Sequence, residues 1–191
     1  MMKLVTRRYR VECIPEDLLQ RAPEDGWYVL RVPCREEERV ARSIAHMPGA
    51  ACVLLWTVAQ HHYGRGRVRQ VVTPFLPGYI IVNSGGHDHD TLYSTVRPVV
   101  EILPVLDGQQ FVAELQSFCR ILLAAPGDLR QQPGYAQGDP VEVIGGSLQG
   151  CRGTVVRHQG NWELVVGLTV LGTVVQARVD RRLIRPIEGA S

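Results

Sequence analysis

Three groups of side chains have types and spacings that can do metal or covalent chemistry. His87-Asp88-His89-Asp90 alternates two residue types that ligate divalent cations. On a strand the alternating residues would share a face, but the run follows Gly85-Gly86 and lacks a third partner, so a solvated loop opening a helix is the preferred reading. Five cysteines, Cys13, Cys34, Cys52, Cys119 and Cys151, contain no CxxC pair. That pattern supports neither a zinc site nor a disulfide framework and predicts small buried hydrophobes. Cys34 and Cys52 are the candidate nucleophiles if the chain is a small cysteine enzyme. No serine sits in a nucleophile elbow, and there is no HExxH motif and no phosphate-binding glycine loop. The prediction is a protein that is not an enzyme, with no catalytic residue, metal or cofactor.

Binding chemistry is better represented. Arg35, Arg39, Arg42 and His46 recur at spacings of four, three and four. On a helix they form one stripe, roughly 140° from the apolar stripe of Val40, Ile44 and Met47. Such a stripe can track a phosphate backbone; the alternative is a solvated face with Glu36, Glu37 and Glu38 as local partners. His61-His62-Tyr63-Gly64-Arg65-Gly66-Arg67 joins cations, an aromatic ring and glycines. It suits a nucleic acid or an acidic protein surface, and equally a hairpin tip that is polar because it is wet. Phe75-Leu76-Pro77-Gly78-Tyr79 is the most specific short segment: two prolines and a glycine pin the backbone around large apolar groups. It reads as an interface anchor or as a core-filling turn, and the residues alone do not choose.

The elements that must position these groups follow from periodicity. Residues 27–32 read as a strand, 35–47 as a helix with acidic residues in its first turn, and 51–58 as a second strand. A hairpin turns at 61–67 and returns through 68–73. Strands at 80–82 and 99–105 flank a short helix at about 89–96, and 109–123 carries Phe111, Leu115, Phe118 and Leu122 on one helical stripe. Beyond residue 125 the texture changes to a Pro/Gly/Gln linker and then to short strand-like runs at 141–144, 153–158, 164–170 and 174–179. About 50 residues of short strands predict a small barrel. The expected domains are an N-terminal extension (1–25), an α/β sandwich domain (26–124), a linker (125–137) and a five-stranded barrel (138–188), together an α+β protein.

Composition bounds the rest. Apolar residues make up 45% and charged residues 21%, ordinary for a globular protein. The 21 basic and 19 acidic residues leave a net charge of +2, so the chain is no polycation that coats DNA indiscriminately. Lys3 is the sole lysine, and arginine supplies the other cations. No run is long enough to span a bilayer and the N-terminus has no apolar signal region, so a cytoplasmic monomer with no membrane partner is expected.

Trp27-Tyr-Val-Leu at the domain start and Phe75-Leu-Pro-Gly-Tyr-Ile-Ile-Val82 some fifty residues on resemble the N-terminal (NGN) domain of the NusG family. Gly138-Asp-Pro-Val-Glu-Val-Ile-Gly-Gly146 followed by Gly150-Cys-Arg-Gly-Thr-Val155 is similar to a KOW motif, the SH3-like barrel of that family. The resemblance covers residues 26–188. The basic segment Tyr63-Gly-Arg-Gly-Arg67, Leu103-Pro-Val-Leu and Leu164-Val-Val-Gly-Leu-Thr-Val-Leu-Gly172 look like specialised paralogues of the RfaH, LoaP and UpxY kind. Cys151 stands where NusG usually has an aromatic residue in the KOW loop, which favours antitermination over Rho-linked termination.

The resemblance implies a transcription elongation and antitermination factor on bacterial RNA polymerase that suppresses pausing and termination. Phe75, Leu76, Pro77 and Tyr79 would supply or support the patch that binds the clamp helices. Arg35, Arg39 and Arg42 would face non-template DNA. The tip (His61, His62, Arg65 and Arg67) would touch nucleic acid or reach the opposite polymerase lobe. Cys151, Arg152, Arg157 and His158 would contact a ribosomal protein or RNA through the KOW domain. The rival is a KOW-type RNA- or ribosome-binding protein with no polymerase activity, which leaves residues 27–123 without a role. Residues 165–175, β-branched and glycine-rich, are expected to remain strand and turn rather than helix.

Overall fold

In the computed structural model, residues 5–63, 67–124, 129–133, 138–158 and 161–187 are described. Contacts divide the chain into two units, residues 1–109 and 110–191.

The first unit is an antiparallel sheet built on one long strand. In chain order its elements are β1 (Val5–Ile14), β2 (Trp27–Arg31), α1 (Glu37–Ala45), β3 (Ala51–Tyr63), β4 (Arg67–Pro74), β5 (Tyr79–Asn83), α2 (His89–Thr95) and β6 (Glu101–Pro104). The strands run β1-β3-β5-β2-β6, with β4 also paired to β3. Two halves of β3 do different work. Its residues Ala51, Cys52 and Val53 pair with β5, and residues 56–63 pair with β4. All of residues 51–56 are buried, whereas Thr57 through His62 are half-buried. The polar residues Gln60, His61 and His62 carry the strand beyond its core into a ribbon, which is why it runs longer than the 51–58 expected.

Helix α1 forms because Val40, Ala41 and Ile44 make an apolar stripe that buries against Cys52, Leu54, Trp56, Ile80 and Val82. It starts later than expected. Arg35 has φ 75 and lies in the turn before the helix, so it leaves the predicted basic stripe. Asp88 closes the N-terminus of α2 by accepting the Thr91 amide at 2.8 Å.

The leader, expected to hold no assigned element, contributes β1. This strand pairs with β3 over ten residues, from Val5↔His61 to Ile14↔Cys52.

The second unit begins within α3 (Gly108–Ala124), whose predicted stripe of Phe111, Leu115, Phe118 and Leu122 is buried. By contacts, residues 110–124 group with the strands that follow, whereas the sequence reading ended the first domain at 124. Those strands are β7 (Arg130–Pro133), β8 (Asp139–Val143), β9 (Arg152–His158), β10 (Asn161–Leu168), β11 (Thr173–Arg178) and β12 (Ile184–Pro186). They form a sheet in the order β12-β8-β9-β10-β11-β7. The sheet has six strands where five were expected, because part of the segment read as a linker pairs with the outer edge of β11. Pro133 and the glutamines of β7 carry no alternating apolar signal, so composition alone hid it. Residues 165–175 are strand, turn and strand, as their β-branched content requires. No helix among the described residues is long and apolar enough to cross a membrane.

Candidate functional site

The Phe75–Tyr79 turn joins β4 to β5 and is fixed from three sides. The Phe75 amide donates to the Leu55 carbonyl at 2.7 Å, and the Tyr79 amide closes the turn on Leu76 at 3.1 Å. Gly78 stands at φ +80, with its carbonyl accepting from the Val32 amide at 2.8 Å. A Cβ there would lie 3.0 Å from the Val32 carbonyl oxygen, so left-handed backbone and close approach together demand glycine. The Gly78 amide donates to the Glu37 carboxylate at 2.8 Å, and that carboxylate is 2% exposed. A buried carboxylate from the first turn of α1 therefore holds the apex of the turn.

That anchoring decides between anchor and core filler for two of the four residues. Phe75 and Leu76 are 6% and 7% exposed. Of the two readings, Phe75 and Leu76 take the second and fill the core, while of the four residues Pro77 and part of Tyr79 reach the surface. Tyr9 covers Phe75 edge-on, with ring centroids 5.4 Å apart and planes at 88°. The leader thus reaches the most specific motif of the chain. Beside it, Glu12 accepts from the Trp56 indole at 2.9 Å and pairs with Arg10 at 3.0 Å, while the Arg10 guanidinium sits 5.7 Å from the Trp56 ring centroid.

The helical arginines are answered locally. Arg39 pairs with Glu36 at 2.7 Å and Arg42 with Glu38 at 3.3 Å. Arg39 also donates to the Arg97 carbonyl at 3.4 Å, and the His46 ring meets the Arg42 carbonyl at 2.6 Å. This is the solvated face with local partners, and Arg35 points from a different turn altogether.

The ribbon differs. His61 and His62 are half-buried on opposite faces of β3, opposite Arg69 and Val68 respectively. Arg67 and Arg69 are exposed on β4, and Arg8 is exposed on β1. Arg65 lies outside the described residues.

At His87–Asp90 the side chains have structural work. His87 meets the Pro48 carbonyl at 2.9 Å and His89 contacts Asp90 at 3.3 Å. The two hydrogen bonds from Thr91 hold the Asp88 carboxyl below the ordinary aspartate range.

In the second unit, Cys151 is fully buried and directs its thiol toward the Ser117 carbonyl at 3.9 Å. It cannot touch a partner, which corrects its place among the contact residues. Burial raises its thiol pKa, outweighing the Arg120 guanidinium that pulls the other way. Arg152 is exposed and near Glu142 at 3.9 Å, with its amide bonded to Ser117 Oγ at 3.1 Å. Arg157 and His158 lie on β9, but their side chains are outside the described ones. The Gly153 of the KOW-like segment has its Cα backed by the Val165 carbonyl, which leaves no room for a side chain.

The cysteines divide. Cys52, Cys119 and Cys151 are buried as expected, whereas Cys34 is exposed and Cys13 half-buried. Burial pushes the Cys52 thiol up to about 12, the wrong direction for a nucleophile.

Sequence reasoning missed Tyr9, Glu12, Glu37 and Arg69. For the first two the signal existed: Tyr9, Val11 and Cys13 alternate with Arg8, Arg10 and Glu12, the period of a strand.

A helix-flanked antiparallel sheet with an anchored turn and a cationic ribbon is followed by a second unit that holds most of α3 and six strands. Residues 25–117, just under half of the chain, match the family model described as transcription termination factor nusG. The family comprises transcription elongation and termination factors that bind RNA polymerase and are not enzymes. The matched stretch runs from just before β2 into α3 and leaves β1 outside it. A comparison with curated proteins gave no match.

Proposed function

We propose that this chain is a transcription elongation and antitermination factor of the RfaH, LoaP and UpxY kind, acting in the cytoplasm on bacterial RNA polymerase. The observation that carries it is the Phe75–Tyr79 turn, held by Glu37 inside the stretch that matches the NusG family. In this reading Pro77 and Tyr79 touch the clamp helices, and Phe75 and Leu76 support them from beneath. A domain that bridges the polymerase cleft disfavours clamp opening, and with it pausing and release. Arg39 and Arg42 would exchange their carboxylate partners for non-template phosphates, with Arg35 beside them. The ribbon (His61, His62, Arg65 and Arg67) would face the opposite lobe. The second unit, through Arg152, Arg157 and His158, would recruit a ribosomal protein or RNA.

The test is capture of core RNA polymerase by the wild-type chain and by Tyr79→Glu, with circular dichroism to establish that the variant folds. Capture by the wild type and loss in the folded variant supports the reading. No capture by either protein, together with binding of ribosomal RNA by the full chain, sinks it in favour of a KOW-type RNA-binding protein.

A further inference from the structure

Strand β4 is an edge with an unusual division of labour. Among the described residues it pairs with β3 alone, so one side of its backbone is open. The register sorts its side chains onto two faces. Val68, Gln70 and Val72 share a face with His62, Gln60 and Val58. Arg67, Arg69, Val71 and Thr73 share the other with His61, Ala59 and Thr57. Val68 and Val72 are 54% and 43% exposed, which is large for valines on a strand.

The charges on this edge lack a local counter-ion. Neither Arg67 nor Arg69 takes part in any ion pair found among the described residues. The sequence explains why: no aspartate or glutamate occurs between Glu38 and Asp88, a stretch that contains all of β3, the turn and β4. An edge strand with open amides, cations on one face and the exposed Val68 and Val72 on the other is complementary to an extended segment with the opposite pattern.

We propose that β4 is a docking edge for a protein segment that adds as a further strand and alternates acidic with apolar residues. Its backbone pairs with the open side of β4. Its carboxylates lie beside Arg67 and Arg69, and its apolar side chains extend the Val68–Val72 face. Other occupants fit less well. A single-stranded nucleic acid gains most from aromatic platforms, and β4 offers valines and a ladder of amides instead. A second copy pairing through β4 would set arginines beside arginines with no carboxylate to relieve them. The other edge of the ribbon, β1, already neutralises Arg10 with Glu12. The site lies outside the Phe75–Tyr79 turn, and its test needs no polymerase.

The experiment uses the full chain, isotopically labelled, and a fluorescent synthetic peptide of about eight residues alternating glutamate and valine. Two further versions of the peptide carry N-methyl groups on one or the other set of alternate amides. Saturable binding is expected, with amide shifts centred on residues 67–74. Arg67→Glu/Arg69→Glu should weaken it about tenfold or more, and Arg67→Lys/Arg69→Lys should largely retain it. Only one of the methylated peptides should lose affinity, because only one set of amides faces β4. Equal binding by both methylated peptides overturns strand addition, as does absence of saturable binding. Shifts confined to residues 5–14 move the site to β1 and overturn the assignment. Displacement of the peptide by an oligothymidylate at lower concentration than by unlabelled peptide overturns it in favour of a nucleic acid. Concentration-dependent dimerisation that the peptide cannot reverse does so in favour of a second copy.

Discussion

Helix α1 and the β3–β4 ribbon both carry arginine at regular spacing, and they differ in what answers the charge. On α1 each of Arg39 and Arg42 has a carboxylate one turn away. On β4, Arg67 and Arg69 stand in a stretch of chain with no acidic residue at all. The two regions differ as much in their relation to the core: α1 buries Val40, Ala41 and Ile44, whereas β4 has no residue that is fully buried. One region uses charge to keep a packed helix soluble. The other keeps cations with no ion pair among the described residues on an element that buries little.

The sharpest way to break this comparison is to truncate both regions. Ile44→Ala should cost about 3 kcal/mol by denaturant titration, since a fully buried isoleucine leaves a cavity. Val72→Ala should cost less than about 0.5 kcal/mol. Comparable losses would mean that the ribbon is structural.

A smaller effect is expected where α1 touches the turn. Glu37→Ala strips the acceptor from the Gly78 amide and should cost about 1–3 kcal/mol, with faster hydrogen exchange at Gly78 as the local reading.

Smaller still, and different in sign, are the charge neutralisations. Arg39→Gln/Arg42→Gln should destabilise by less than about 0.5 kcal/mol per pair, and the loss should fade in high salt. Arg67→Gln/Arg69→Gln should leave stability unchanged or raise it slightly, as two like charges are removed from one face of a strand. A clear destabilisation by the second pair would show that these arginines have structural partners after all.

A separate effect, read through pH, concerns Asp88, the first carboxylate after the acid-free stretch. Its pKa is lowered in the folded chain, so its cap stabilises above the ordinary aspartate value and is lost as pH falls through the lowered one. Asp88→Ala should therefore melt below wild type near neutrality, with the two melting temperatures converging as pH falls below the ordinary aspartate range. A gap that widens on acidification would reverse the assignment.

What the sequence made legible follows the same division. Strands and helices with a buried stripe, such as residues 27–31 and 37–45, were readable because periodicity reports burial. Fold class and the order of elements were accordingly visible. The far half of β3 was not, because polar Gln60, His61 and His62 follow no core, and only pairing with β1 and β4 extends the strand. Strand β7 was hidden for a similar reason: glutamine and proline give no periodic signal. Phe75 was ambiguous because its exposure depends on Tyr9, a residue far away in sequence whose approach no local pattern encodes. The basic stripe was half right. Spacing placed Arg39 and Arg42 on one face, but the turn at Arg35, where φ is 75, delays the start of the helix. Cys151 was read as a small buried hydrophobe from cysteine spacing and as a contact residue from the resemblance, and its burial agrees with the first.

The register of β1 has a further consequence, for the order in which the domain assembles. Val5 pairs with His61 and Ile14 with Cys52, while β2 and α1 lie between them in the chain. During synthesis β1 is the earliest of these strands to emerge and among the last to find its place, since nothing offers it an edge until β3 has been made. Until then Tyr9, Val11 and Cys13 have no sheet to cover, and Phe75 has yet to be translated. The nascent domain therefore passes through a stage with a free, alternating strand at its front. Tyr9 of the docked strand then covers the Phe75 ring once the turn after β4 has formed.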